Sequence, residues 1–192
     1  MSIWELSYDG YDPAQQPLRE ALSTLANGYV GTRGAVLTAD ADGTHYPGTY
    51  VAGLYNRLTT HIEGRDVENE DLVNMPNWLG LTFRVDDGPW FHLDRAEMVE
   101  YHQTLELRRG VLMRRMRLRD GEGRETSVTE RRFVHLSCEN LMAVEVTFRP
   151  ENWSGRITAR SALDGRVRNT GVARYRALAN RHLEVLEAGS PA

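Results

Sequence analysis

Six histidines are the first residues to test for chemistry: His45, His61, His92, His102, His135 and His182. No two form an H-x-H pair and no HExxH occurs, so a zinc centre would need ligands gathered from distant segments. Isolated surface or packed histidines are the expectation. ADADG at 39–43 begins like a calcium loop. It lacks the third acid before the glycine and the glutamate at position twelve, and reads as a solvated turn. Glu68, Glu70 and Asp71 cluster just before VNMPNW. Acid–base work would need a partner that raises one of their pKa values, and none is evident, so a charged loop is expected. There is no G-x-S-x-G elbow. Ser137–Cys138 falls in a corner between strands, and a lone cysteine of this kind reads as a small buried hydrophobe. No catalytic residue and no metal-ligand set is predicted.

Two loops carry a different chemistry. YPGTYVAGLYN at 46–56 holds three tyrosines and ends on an asparagine; NMPNWLGL at 74–81 sets asparagines beside a tryptophan. Aromatic faces stack on the C–H faces of sugars while amides pair with hydroxyls, so Tyr50, Asn56, Asn77 and Trp78 are the candidates for a place beside a substrate. The competing reading, favoured by composition, makes Trp78 and Tyr50 large packing residues. Gly28, Gly31 and Gly34 recur every third residue in GYVGTRGAV. A dinucleotide fingerprint needs a strand first, other spacings and a helix after. Here the glycines suit tight turns and close backbone approach instead.

The elements that must hold these loops are mostly strands. Residues 13–27 read as a helix, with Leu18, Ala21, Leu22 and Leu25 at helical spacing, proline in the first turn and Gly28 as the stop. From residue 78 the period becomes two. WLGLTFRVDDGPWFHLD reads as a hairpin turning at Asp87–Gly88. Arg115–Arg119 and Glu125–Phe133 alternate about a DGEGR turn. LMAVEVTFRP puts Met142, Val144, Val146 and Phe148 on one face and ends at Pro150. GRITARSALDG and RHLEVLE (181–187) supply two more strands. This spacing predicts an antiparallel β-sandwich with one or two short helices near the N-terminus.

Composition agrees. The 192 residues are 41% hydrophobic and 26% charged, enough for an ordinary core and too apolar for disorder. Against 27 acids stand 23 basic residues, every one an arginine, for a net charge of −4. Guanidinium suits phosphate, but the arginines alternate with acids and leave no basic stripe, so no nucleic-acid partner is expected. A GC-rich coding sequence is the expected source of the bias. No apolar run is long enough to span a membrane, and no secretory signal opens the chain. A single cysteine excludes an internal disulfide framework. A cytoplasmic location is the expectation.

Five segments in order, REALSTLANGYVGTRGA, YPGTYVAGLYN, VNMPNWLGLTFRVD, LELRRGVLMRRMRLRD and NWSGRITARSALDGRVRN, resemble the N-terminal domain of glycoside hydrolase family 65. The family contains the maltose, trehalose, kojibiose and nigerose phosphorylases, and related members hydrolyse trehalose, so the resemblance implies a phosphorylase or a hydrolase; it runs from about residue 4 to about residue 185. It implies a galactose-mutarotase-like super-sandwich. In the family this domain precedes an (α/α)6 barrel that carries the catalytic glutamate and the phosphate site, and the enzymes are typically homodimers. The resemblance therefore implies a non-catalytic portion, residues 1–192, expected to stop before its last strands and lacking the barrel. No cofactor is implied; inorganic phosphate is the co-substrate of the parent reaction. Phosphate attacks an α-linked glucose disaccharide opposite the leaving sugar and gives β-glucose 1-phosphate. Because phosphate is already anionic, one carboxylic acid that protonates the leaving oxygen suffices. The alternative, from another class, is a stand-alone carbohydrate-binding module.

Overall fold

In chain order the strands of the computed structural model, which describes residues 3–170, 177–184 and 186, begin with β1 (Glu5–Asp9), β2 (Leu25–Ala26), β3 (Val30–Thr32) and β4 (Thr49–Val51). Then come β5 (Tyr55–Ile62), β6 (Arg65–Leu72), β7 (Asn77–Val85) and β8 (Glu97–Glu106). The last described are β9 (Val111–Arg119), β10 (Glu125–Val134), β11 (Met142–Pro150) and β12 (Ile157–Asp164). Every pairing is antiparallel.

The largest sheet has the order β1-β8-β9-β10-β11. Because side chains alternate across a strand, its register puts Tyr101, Gln103 and Leu105 on one face with Leu112, Arg114 and Met116, and with Val128, Glu130 and Arg132. That face is buried. Against it lie the segment 33–39 and the β7–β12 pair, which bring Val36, Ala39, Phe83 and Val85 onto Tyr101, Met116, Leu118 and Val128. Phe83 stacks on Phe91 at 5.0 Å between ring centres and meets Phe148 at 4.8 Å. Each such side chain contributes about 1.5–3 kcal/mol by leaving water. The layers make the predicted sandwich, and Met142–Pro150 and Ile157–Asp164 form the strands read from the sequence.

Three expectations need correction. The helix is short: a 3-10 turn at Pro13–Gln15 leads into α1 (Gln16–Leu22), and Leu25 already belongs to β2. Its inward residues are Gln16 and Glu20, while Leu18 and Leu22 are 56% and 51% exposed. Polar partners inside the fold reverse the apolar face that the spacing suggested. The helix ends where Ser23 is clamped, its hydroxyl accepting from Gln103 Nε2 at 2.7 Å and its backbone crowded by Gly34. A Cβ at Gly34 would stand 2.6 Å from Ser23 Cβ, which is why only glycine fits there.

Second, residues 86–88 do turn, but no ladder follows. Phe91 N–H bonds Phe83 O at 2.7 Å, and β7 takes β12 as its partner. Third, residues 181–184 form no strand, and Val185 and Glu187 of that predicted segment lie outside the described residues.

Candidate functional site

The four nominated side chains sit in three environments. Tyr50 on β4 is half-buried, and its hydroxyl meets that of Tyr46 at 2.6 Å. Burial, and then the bond to Tyr46, raises its pKa, so it stays a neutral phenol. Tyr46 in turn donates to Arg168 O at 3.1 Å. Trp78 on β7 is also half-buried and packs on the cluster of Ala35, Leu37 and Leu79. Its indole N–H donates to Thr32 Oγ1 at 3.2 Å, and Thr32 shares a 3.0 Å bond with Thr49, the neighbour of Tyr50. A chain of hydroxyls thus links the surroundings of Tyr50 and Trp78. Asn77 points to the other side of β7, 7% exposed, with Oδ1 accepting from Leu79 N–H at 3.0 Å. Asn56 stands exposed on β5 and pairs with Asp71 in the strand register.

Beneath Trp78 lies an ionic cluster in full burial. Arg114, Glu130 and Arg132 have side chains with no solvent exposure. Arg114 Nη1 donates to Glu130 Oε2 at 2.9 Å, and Arg132 donates to Glu130 Oε1. The two guanidinium groups also bond the carbonyls of Arg33, Gly34 and Ala35. The segment 33–35 crosses the interior without a ladder, and a buried carbonyl needs a donor. The arginines supply it. Burial pushes the Glu130 carboxyl up, but the charges of Arg132 and Arg114 outweigh that and hold its pKa below the usual carboxylate range. The ring of Trp78 lies 5.9 Å from the Arg132 guanidinium carbon, on a side chain whose Nε has no hydrogen-bond partner. Next to this cluster, Glu20 binds His45 Nδ1 at 2.7 Å and Tyr46 N–H at 2.9 Å, and His45 Nε2 meets Tyr11 Oη at 2.8 Å.

The exposed surface is concentrated elsewhere. β5 and β6 form a hairpin whose central turn residues, Glu63 and Gly64, have φ of 50° and 77°, as a type I′ turn requires. Glu68, Glu70 and Asp71 therefore lie in a strand and not a loop, with Arg57 holding Glu70 at 2.6 Å and Glu68 at 3.6 Å. The arm carries two basic and five acidic residues, 2 − 5 = −3. At its base Tyr55, Leu54 and Tyr29 are 58%, 40% and 39% exposed. Cys138, expected to be buried, is exposed in the turn between β10 and β11. Asp42 Oδ1 accepts from Thr44 and His45 N–H, the turn read from ADADG. Among the described residues no group of three histidines, cysteines or acids is placed to hold a metal, and no helix is long and apolar enough to cross a membrane.

The sequence profile of glycosyl hydrolase family 65, N-terminal domain, matches residues 6–191. The chain belongs to this family. An uncharacterized glycosyl hydrolase of Mycobacterium tuberculosis is 52% identical to this family 65 domain over 184 residues, 96% of this chain and 14% of the relative. A trehalose 6-phosphate phosphorylase of Lactococcus lactis is 32% identical, over 95% of this chain and 23% of its own. A kojibiose phosphorylase of Caldanaerobacter subterraneus is 31% identical, over 96% and 22%. The chain thus spans less than a quarter of the length of these relatives. A human-microbiome protein assigned as a kojibiose phosphorylase shares the fold at a TM-score of 0.74, with 18% identity over 85% of this chain and 22% of its own.

What sequence reasoning missed in the family 65 domain is the ionic cluster. One signal was available: Arg114 shares strand parity with Leu112, Met116 and Leu118, and Glu130 and Arg132 share parity with Val128 and Val134. Opposite charges in the apolar register of neighbouring strands mark a buried pair.

Proposed function

We propose that this chain is the non-catalytic β-sandwich portion of an inverting α-glucoside phosphorylase, docking on the catalytic barrel and shaping the mouth of its active site. The observation that carries the reading is the contrast in commitment of polar groups. Most buried ones are absorbed by the fold, while a two-stranded acidic arm flanked by Tyr29, Leu54 and Tyr55 leaves the face of Arg57, Glu68 and Glu70 open to solvent. Residues 179–182 meet the arm's other face, where Thr60 and Asn69 bond the backbone of Ala179, so the open face is the one left to meet another domain. Asn56, exposed on this arm, is the nominee that supports a role at such a junction, while Tyr50 and Trp78 are held by Tyr46 and Thr32. In the parent reaction inorganic phosphate would attack the anomeric carbon of an α-linked glucose disaccharide, with a carboxylic acid outside these residues protonating the leaving oxygen. The homodimer and the cytoplasmic location remain part of this proposal.

The test assays the 192-residue chain for phosphate-dependent release of glucose 1-phosphate from maltose, trehalose and kojibiose, and titrates it with the same sugars by calorimetry. We expect no turnover and no saturable heat. Turnover would make the chain an enzyme, and disaccharide binding would make it a carbohydrate-binding module; either result overturns the proposal.

A further inference from the structure

The outer face of the β7–β12 pair bears a cleft of about 520 Å³ that none of the foregoing uses. Its floor is made of small residues. Gly80 and Ala162 are opposite each other in the ladder, and a Cβ at Gly80 would come within 3.1 Å of Ala162 O. One wall is Trp90, and two guanidinium groups lie over its ring, Arg160 at 4.5 Å and Arg84 at 5.1 Å. The ladder explains the pairing. Arg160 is opposite Thr82 and Arg84 opposite Thr158, so the two arginines are diagonal neighbours on one face. Arg95 and Arg166 complete the rim, and Asp164 neutralises Arg166 through bonds of 2.7 and 2.8 Å. Among the described residues Arg84, Arg95 and Arg160 have no carboxylate within ion-pairing distance. Unpaired positive charge thus gathers here in a chain whose net charge is −4.

One group lining the cleft is unsatisfied in a way the fold does not need. Thr38 holds φ of 70°, a left-handed backbone that a β-branched residue adopts only under strain, and its hydroxyl is shielded from water without a hydrogen-bond partner. Asn77 has Oδ1 committed to Leu79, which leaves its amide NH2 for a ligand. Asp40, 3.7 Å from His92, offers a hydrogen-bond acceptor on the far rim.

We propose that this cleft binds a phosphorylated hexose, Arg95 and Arg160 taking the phosphate while Thr38, Asp40 and Asn77 take sugar hydroxyls. Guanidinium forks match phosphate oxygens two at a time, and the half-buried indole that Arg160 lies over orients the fork. Neutral sugars lack the anion and inorganic phosphate lacks the hydroxyls, so each engages half the site. No residue of the arm lines the cleft, and the proposal does not depend on the docking role.

The test titrates the 192-residue chain with glucose 1-phosphate, glucose 6-phosphate, glucose and inorganic phosphate, following the Trp90 indole resonance assigned through Trp90→Phe. At least one hexose phosphate should bind saturably and about tenfold or more tighter than glucose or phosphate alone. Arg160→Ala, at an exposed position, should keep the melting temperature and lose most of that affinity. Thr38→Gly should raise the melting temperature and weaken binding, the mark of a strained residue kept for its ligand. Absence of saturable binding at millimolar concentration overturns the proposal, as does phosphate binding as tightly as the hexose phosphates. Full affinity in Arg160→Ala overturns it too, and so does a Thr38→Gly variant that melts lower and binds unchanged.

Discussion

The inner face of the five-stranded sheet and the β5–β6 arm use the same chemistry in opposite solvents. Glu130 is held by two arginines with no water near, whereas Glu68 and Glu70 are held by one arginine in full contact with water. In the interior the Coulomb term is strong but follows a heavy desolvation cost, so losing one partner strands a charge. On the arm, water already stabilises each ion and the pair adds little. The lesson is that the arginines of this chain are not one class. Arg114 and Arg132 act as backbone donors for the segment 33–35, and Arg57 decorates a surface.

The sharpest way to break the comparison is Glu130→Gln, which should cost about 3–5 kcal/mol in a urea or thermal melt by leaving two buried guanidinium groups without their anion. Replacing Arg114, Glu130 and Arg132 together by apolar residues should not restore stability as it would for an isolated triad. The carbonyls of Arg33, Gly34 and Ala35 would lose donors at about 1–3 kcal/mol each. The same contrast should appear on acidification. Glu130 has a folded pKa below its ordinary value of 4.5, so its contribution is present above about pH 4.5 and fades as pH falls toward the folded value. Melts of Glu130→Gln between pH 6 and pH 3, two values on either side of that carboxylate range, should show a flatter decline than the parent.

Smaller effects sharpen the boundary between the regions. Trp78→Ala, above the ionic cluster, should lower stability by about 3 kcal/mol. In the longer parent protein it should leave turnover unchanged if Trp78 serves only packing. Gly34→Ala forces a Cβ against Ser23 and should cost about 1–3 kcal/mol, read by the shift in melting temperature. Arg57→Ala, on the arm, should leave the melting temperature unchanged within error. A large loss there would show that the hairpin is held by its charges.

Sequence reasoning reached the strands whose outer faces are wet. β9, β10 and β11 alternate cleanly because water on one side and core on the other impose period two. It failed where polar groups face inward. Gln16 and Glu20 read as the wet side of α1, yet Glu20 meets His45 and Tyr46, partners 25 and 26 residues away that no local pattern encodes. The return from Asp87 failed for a related reason: Trp90 and Phe91 looked like strand residues but are claimed by Arg160, Arg84 and Phe83. Of the candidate surface, the loop residues were legible as aromatic–amide pairs. Their commitment to Thr32, Tyr46 and Leu79 depends on contacts between strands and was not.

The grip of Arg114 and Arg132 on residue 35 also sets an order in time. These bonds join positions 79 and 97 apart in the chain, and β1 waits equally long for β8. During synthesis α1 and the β2–β3 pair can form locally, but β1 and the carbonyls of residues 33–35 wait for their partners until β8, β9 and β10 have emerged. The N-terminal segment, first to be made, is therefore locked in place only after more than half of the chain has followed it.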